Sequence, residues 1–230
     1  MTTVFTQEGN KGVLDGALQI NPQVFGHAEF TTDPELKRDV YSLPLNAAIA
    51  YPITAELYDK ITSQLSIELY VAVSESQADN PMKLMLSSMW GAGIALGEVV
   101  DETGTEKIFF RYHNGEGFMN VGVDENHMTE KVNTGEWTHI VATYDSQTAR
   151  VYVNGKLIAC GGDKRYGGGS KEILYPAPPN QFICIGGEAS GGELNSGTDI
   201  NMKIAYAKIY DEALSEEEIN ECYQKRNTEF

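Results

Sequence analysis

The chain has 230 residues, 41% of them hydrophobic, with 33 acidic against 17 basic side chains and a formal net charge of -16. Such a surface repels phosphate backbones and anionic lipid headgroups, which argues against nucleic acid and membrane partners. No apolar run approaches the roughly 18 residues needed to insert into and cross a bilayer.

The acidic balance remains compatible with a neutral polysaccharide, with bound Ca²⁺, or with solubility alone. Sandwiches and barrels commonly occupy about 200–250 residues as one unit, so residues 1–230 read as a single domain. The opening MTTVFTQEGN lacks the basic start and long apolar core of a secretory signal. Residues 1–39 are weakly patterned, with an edge strand over residues 16–24 and a polar turn over 31–38. Two short strands follow around Pro44, at residues 40–43 and 47–51. The segment TAELYDKI, with Thr54 at its head, predicts one or two helical turns capped by that threonine.

Alternation then dominates. LSIELYVAV predicts a strand over residues 65–73, residues 83–88 and 93–96 a further pair, and residues 107–113 and 118–123 another, turned at Asn114-Gly115. In residues 135–156, GEWTHIVATYDSQTARVYVNGK, strands at 137–144 and 149–153 flank a polar turn. The Asn154-Gly155 corner, suited to the positive φ of a type I′ turn, leads into a third strand at 156–160. A glycine-rich loop spans residues 161–172. Late in the chain, Ser215 and Glu218 form a capping box before Ile219, Cys222 and Tyr223. About twelve to fourteen strands with a turn signal every ten or so residues describe an all-β, two-sheet antiparallel jelly roll with a short C-terminal helix.

These segments carry a resemblance. WTHIVATYD followed by YVNGK, together with FICIGG at residues 182–187 and IAYAKIYDEALSEEEI at 204–219, resembles the concanavalin A-like lectin/glucanase superfamily in its laminin-G-like branch. The resemblance covers roughly residues 40–225 and implies an extracellular or cell-surface setting, with any secretory signal lying outside the sequence in hand. It also implies Trp137 as a core anchor. The FICIGG and AKIYDEALSEEEI segments are similar to laminin-G-like modules appended to bacterial calcineurin-like phosphoesterases, so an accessory module packed on a neighbouring enzyme domain is the rival expectation.

Catalysis finds little support. A retaining glucanase needs two carboxylates about 5–5.5 Å apart. The superfamily's hydrolases show glutamate, aspartate and glutamate in alternation, whereas Glu68 stands alone on its strand and other acids cluster beside the helix or in a turn. His27, His113, His127 and His139 join no GxSxG elbow or HExxH array, and His139 is expected to pack. GGGS at residues 167–170 lacks the lysine and threonine of a phosphate loop. The chain is therefore expected to be no enzyme, with an intact glycoside hydrolase as the weakest alternative, and to require no cofactor.

Sugar recognition needs exposed aromatic rings beside hydrogen-bonding groups. The candidate ligand-binding residues are Trp90, followed by glycines in SMWGAG; Tyr112, His113 and Asn114 at a strand end, where Phe110 and Phe118 imply a core face; and Tyr166 and Tyr175, which bracket the glycine-rich loop. The expected partner is a glycan or polysaccharide, met on the concave sheet or on the loop rim. The resemblance also makes Ca²⁺ compatible with the fold, with Asp33 and Asp199 as loop oxygens to consider. Cys160, Cys184 and Cys222 cannot all pair within one chain and lack zinc spacing. They read as buried free thiols, with a Cys160 to Cys184 bridge left open.

Overall fold

The computed structural model describes residues 2–14, 16, 18–76, 82–100, 104–122, 132, 134–162, 171–190, 193–196 and 200–227. The strands run β1 (Thr3–Glu8), β2 (Lys11–Leu14), β3 (Leu18–Ile20), β4 (Gln23–Phe25), β5 (Glu29–Asp33), β6 (Arg38–Leu43) and β7 (Ala48–Pro52), followed by helix α1 (Ala55–Lys60). Next come β8 (Leu65–Ser76), β9 (Met82–Met89), β10 (Gly93–Val100), β11 (Glu106–His113), β12 (Phe118–Val121), β13 (Trp137–Tyr144), β14 (Thr148–Val153) and β15 (Lys156–Gly162). The chain closes with β16 (Phe182–Ile185), β17 (Glu188–Ser190), β18 (Glu193–Ser196), β19 (Ile200–Tyr210) and helix α2 (Glu216–Lys225).

Two large antiparallel sheets result. Sheet A runs β15-β14-β13-β8-β19-β1-β2-β3, with β6 also pairing β19 and β5 pairing β6, and sheet B runs β12-β11-β10-β9-β16-β7-β4. Strict alternation builds the core between them. Leu65, Ile67, Leu69, Val71 and Val73 of β8 point inward against Ile94 and Leu96 of β10 and Ile108, Phe110 and Tyr112 of β11, all essentially buried. At the hairpin between β14 and β15, Asn154 and Gly155 take φ of 50° and 77°, as a type I′ turn requires.

Several local expectations change. The single edge strand over residues 16–24 is two strands, β3 on sheet A and β4 on sheet B. Pro22, which has no N–H for a ladder, lies in the gap between them. The polar turn over 31–38 is a hairpin, because Lys37 accepts a φ of 56° and lets β5 pair β6. Thr54 heads α1 without a side-chain cap bond. Short N-terminal strands bring the number among the described residues to nineteen. Cys160 is exposed on sheet A while Cys184 is buried on sheet B, and both are free thiols, so the bridge does not form. Trp137 is only partly buried. It packs 5.2 Å from Tyr70 on the outer face of sheet A rather than between the sheets.

That outer face is closed by α2. Ser215 and Glu218 form the expected reciprocal capping box, and Ile219 buries with Val141, Tyr152, Tyr210 and Leu214. Beneath the helix, Glu68 is buried and accepts three hydrogen bonds: from His139 Nε2 at 2.9 Å, Tyr206 Oη at 2.9 Å and Tyr210 Oη at 2.5 Å. Burial alone raises the carboxyl pKa, but the His139 bond, the Lys208 charge and the tyrosine bonds outweigh it and hold it below the usual 4.5. A carboxylate with a lowered folded pKa stabilises the fold above its unfolded value, and that contribution fades as pH falls through the folded value. Urea unfolding should therefore show stability declining below about pH 4.5. Glu68→Gln is expected to remove about 2–4 kcal/mol at pH 7 and to flatten that acid limb.

Candidate functional site

Helix α2 covers the part of sheet A formed by β13, β14 and β19, and most of the candidate residues lie on sheet B or at its strand ends. The register fixes what lies there. Inner positions of β11 are Ile108, Phe110 and Tyr112, so Lys107, Phe109, Arg111 and His113 share the outer face. On β12, Asn120 pairs with Arg111 and Phe118 with His113. Phe118 thus sits opposite to the core face on which the sequence pattern placed it, and packs with Leu84, Met89, Ala95 and Phe109 as an apolar floor. The β17–β18 hairpin covers the other half of this face, with Ala189 and Leu194 against Ala48, Ala50, Phe182 and Cys184.

Four of the six candidate residues gather at one end of sheet B. Ile94 pairs with Tyr112, so the turn of Trp90, Gly91 and Ala92 lies beside the end of β11. Trp90 is 44% exposed, held in a tight turn in which its N–H donates to Ala92 O at 2.9 Å and Gly91 has a φ of 68°. His113 is half-buried. Its Nδ1 accepts from Gly115 N at 3.1 Å, and its ring meets Phe118 edge-on at 4.9 Å. Asn114 is buried, and its Oδ1 accepts the Glu116 and Gly117 N–H groups at 3.1 Å and 3.0 Å. Its Nδ2 is buried and has no partner among the described residues. Asn114 borders a cavity of about 300 Å³ together with Glu116, Gly117, Phe118 and Met119. A volume at the small end of ligand pockets suits one monosaccharide unit.

Two candidates are corrected. Tyr112 is fully buried, its ring 5.7 Å from Phe110 and 4.5 Å from Tyr144, and it serves the core. Tyr175 stacks on Tyr58 at 4.3 Å and donates to Ile61 O at 3.0 Å, so its ring faces and hydroxyl are occupied by packing. Tyr166 lies outside the described residues.

The calcium expectation loses Asp33. This carboxylate is buried, pairs with Lys203 Nζ at 2.8 Å and accepts the Glu35 and Leu36 N–H groups. Among the described residues no three His, Cys, Asp or Glu side chains gather to hold a metal ion. Asp199 lies outside them.

One carboxyl of chemical interest escaped the sequence pattern. Glu98 follows Ile94 and Leu96 on the inner face of β10, and it is buried opposite Lys83 of β9 and Ile108 of β11. Burial, then the charge of Glu106, push its pKa up to about 7 against the opposing pull of Lys83. Lys83 Nζ lies 3.9 Å from Glu106. The group faces the other sheet rather than the outer face, and its ionisation inside the sandwich costs the fold stability. Between its ordinary 4.5 and about 7 the folded state holds the extra proton, so the stabilisation present at low pH is lost as pH rises through that window. Glu98→Gln is expected to raise stability at pH 8 by on the order of 2 kcal/mol and to leave it nearly unchanged at pH 4, read from denaturation midpoints.

A profile of the concanavalin A-like lectin/glucanases superfamily, of laminin-G type, matches residues 48–220. The chain belongs to that superfamily. No curated protein matches the sequence significantly. Among solved structures, the binding domain of botulinum neurotoxin DC in complex with SialylT superposes with a TM-score of 0.70 at 14% identity, covering 97% of this chain and 51% of that one. The binding domain of Paraclostridial Mosquitocidal Protein 1 gives 0.70 at 14% identity, over 98% and 52%. That of botulinum neurotoxin serotype G gives 0.69 at 12% identity, over 98% and 51%. At such identities the likeness is one of fold, and the chain spans about half the length of each neighbour. No helix among the described residues of this superfamily member is long and apolar enough to cross a membrane.

Proposed function

We propose that this chain is a non-catalytic carbohydrate-binding or adhesion module of a secreted or surface-attached protein, and that it meets a glycan at the end of sheet B where Trp90, His113 and Asn114 gather. The observation that carries the reading is the Asn114 amide. A buried donor left without a partner is disfavoured by about 1–3 kcal/mol, and its residue borders a cavity that Phe118 and Glu116 also line. A sugar oxygen would satisfy the donor while the pyranose C–H face lies on an aromatic ring, with Trp90 offering a second surface at the rim. The binding domain of botulinum neurotoxin DC, similar in fold, forms a complex with SialylT, and cell entry of botulinum neurotoxin type C depends on two ganglioside molecules, which supports a recognition role.

A second reading, packing against a neighbouring domain, is favoured by three exposed apolar side chains of the N-terminal strands, Leu18, Val24 and Phe30. It predicts an interface remote from Trp90 and requires no glycan.

Glycan-array screening followed by calorimetry separates the two. Asn114→Asp keeps the oxygen that accepts the Glu116 and Gly117 N–H groups but removes the free donor. It is expected to weaken glycan binding roughly tenfold while leaving the fold intact, and Trp90→Ala to weaken it by a similar factor. Unchanged affinity in both variants refutes this site, and binding to no glycan refutes the function.

A further inference from the structure

The same end of sheet B carries a cation that the fold leaves unused. Arg111 lies on the outer face near the end of β11, between Ala95 of β10 and Asn120 of the edge strand β12. Its Nε donates to Asn120 Oδ1 at 2.6 Å, and its guanidinium lies 5.2 Å from the Phe118 ring and 5.8 Å from the Phe109 ring. One hydrogen bond and two aromatic contacts hold the plane in a single orientation. The two terminal nitrogens make no hydrogen bond or ion pair among the described residues, although desolvation lowers the pKa of the group and Glu188 acts on it only from a distance. An arginine that is half-buried, oriented and unpaired presents the free side of its fork, which matches two coplanar oxygens.

Its surroundings sharpen the point. In a chain with a net charge of -16, the outer row of β11 alternates cationic and aromatic side chains, Lys107, Phe109, Arg111 and His113. Phe118 is shared, since it lies under the guanidinium and also lines the Asn114 cavity. Arg111 and Asn114, which borders that cavity, are three positions apart along the chain, roughly 10 Å.

We propose that the ligand is an acidic glycan, a sugar bearing a carboxylate such as a uronic or sialic acid, with its carboxylate held by the Arg111 fork and its ring resting beside Phe118. The inference rests on the glycan-binding reading and narrows it to a charge class. It also resolves the apparent conflict between an acidic protein and an acidic ligand. The contact is local, desolvated and directional, whereas the net charge acts at a range that about 0.15 M salt screens beyond roughly 8 Å.

Matched probes test it. The full chain is titrated calorimetrically with oligogalacturonate and with its carboxyl-reduced galactose counterpart, and with sialyllactose against lactose. The expected result is binding of at least one acidic member with at least tenfold preference over its neutral partner. Arg111→Gln should abolish that preference with a loss on the order of 10- to 100-fold. Arg111→Lys, which keeps charge but not the fork, should recover only part of it. Unfolding midpoints of the variants confirm that the sheet survives. Equal affinity for reduced and acidic partners, or an unaffected Arg111→Gln, overturns the acidic assignment. A neutral glycan that binds alone leaves the glycan reading standing without it, and no binding by any probe overturns both.

Discussion

A single carboxylate organises sheet A. Glu68 lies on the long central strand, and its three hydrogen bonds reach His139 on one neighbouring strand and Tyr206 and Tyr210 on the other. A buried charge without partners would be strongly disfavoured, so the geometry that supplies three donors is specified together with the strand order. The helix above depends on it. Ile219 and Leu214 seal the face above the Glu68 hydrogen bonds, and Tyr223 closes over the His139 ring at 5.8 Å.

The two outer faces consequently have different fates. On sheet A, polar groups are consumed internally and covered by the helix. On sheet B, the hairpin of β17 and β18 covers one half, and the other half keeps an oriented guanidinium, a buried amide donor and an exposed indole. Buried polar groups are normally paired. Buried polar atoms without a partner among the described residues are scattered, from Gln7 and Tyr51 to Glu98, Asn114 and His139, so what marks the open half of sheet B is the oriented Arg111 guanidinium beside the Phe118 ring.

Much of the architecture was legible because side-chain period two is enforced wherever both faces are buried. WTHIVATY forms a strand with the limits the alternation predicted, and the type I′ corner and capping box follow from local chemistry that acts within a few residues. The N-terminal strands were not legible. Three-residue strands with exposed side chains carry no periodic signal, and their pairing is imposed by the sheets they border. For the proposed site, the turn glycines around Trp90 and the Asn114-Gly115 corner placed these residues at neighbouring strand ends. Tyr112 and Tyr175 failed because an aromatic near a loop is as readily core as platform, and only tertiary packing decides. Arg111 was visible in principle, since KIFFRYH alternates charge and ring, but assigning Phe118 to the core face hid it. Glu98 was hidden by its company, because a glutamate following two apolar inward positions gives no sign that a lysine and a second glutamate will meet it.

The sandwich also limits its own stickiness. The paths through the sheets end in β3 with three residues, β4 with three, β12 with four and β15 with seven, and the longest of these has a register shift beside β14. Borders so short or irregular give a foreign strand little ladder to copy. A protein that displays apolar rings and unpaired donors in order to be met by something else can thus be present at high concentration without zipping onto its own kind.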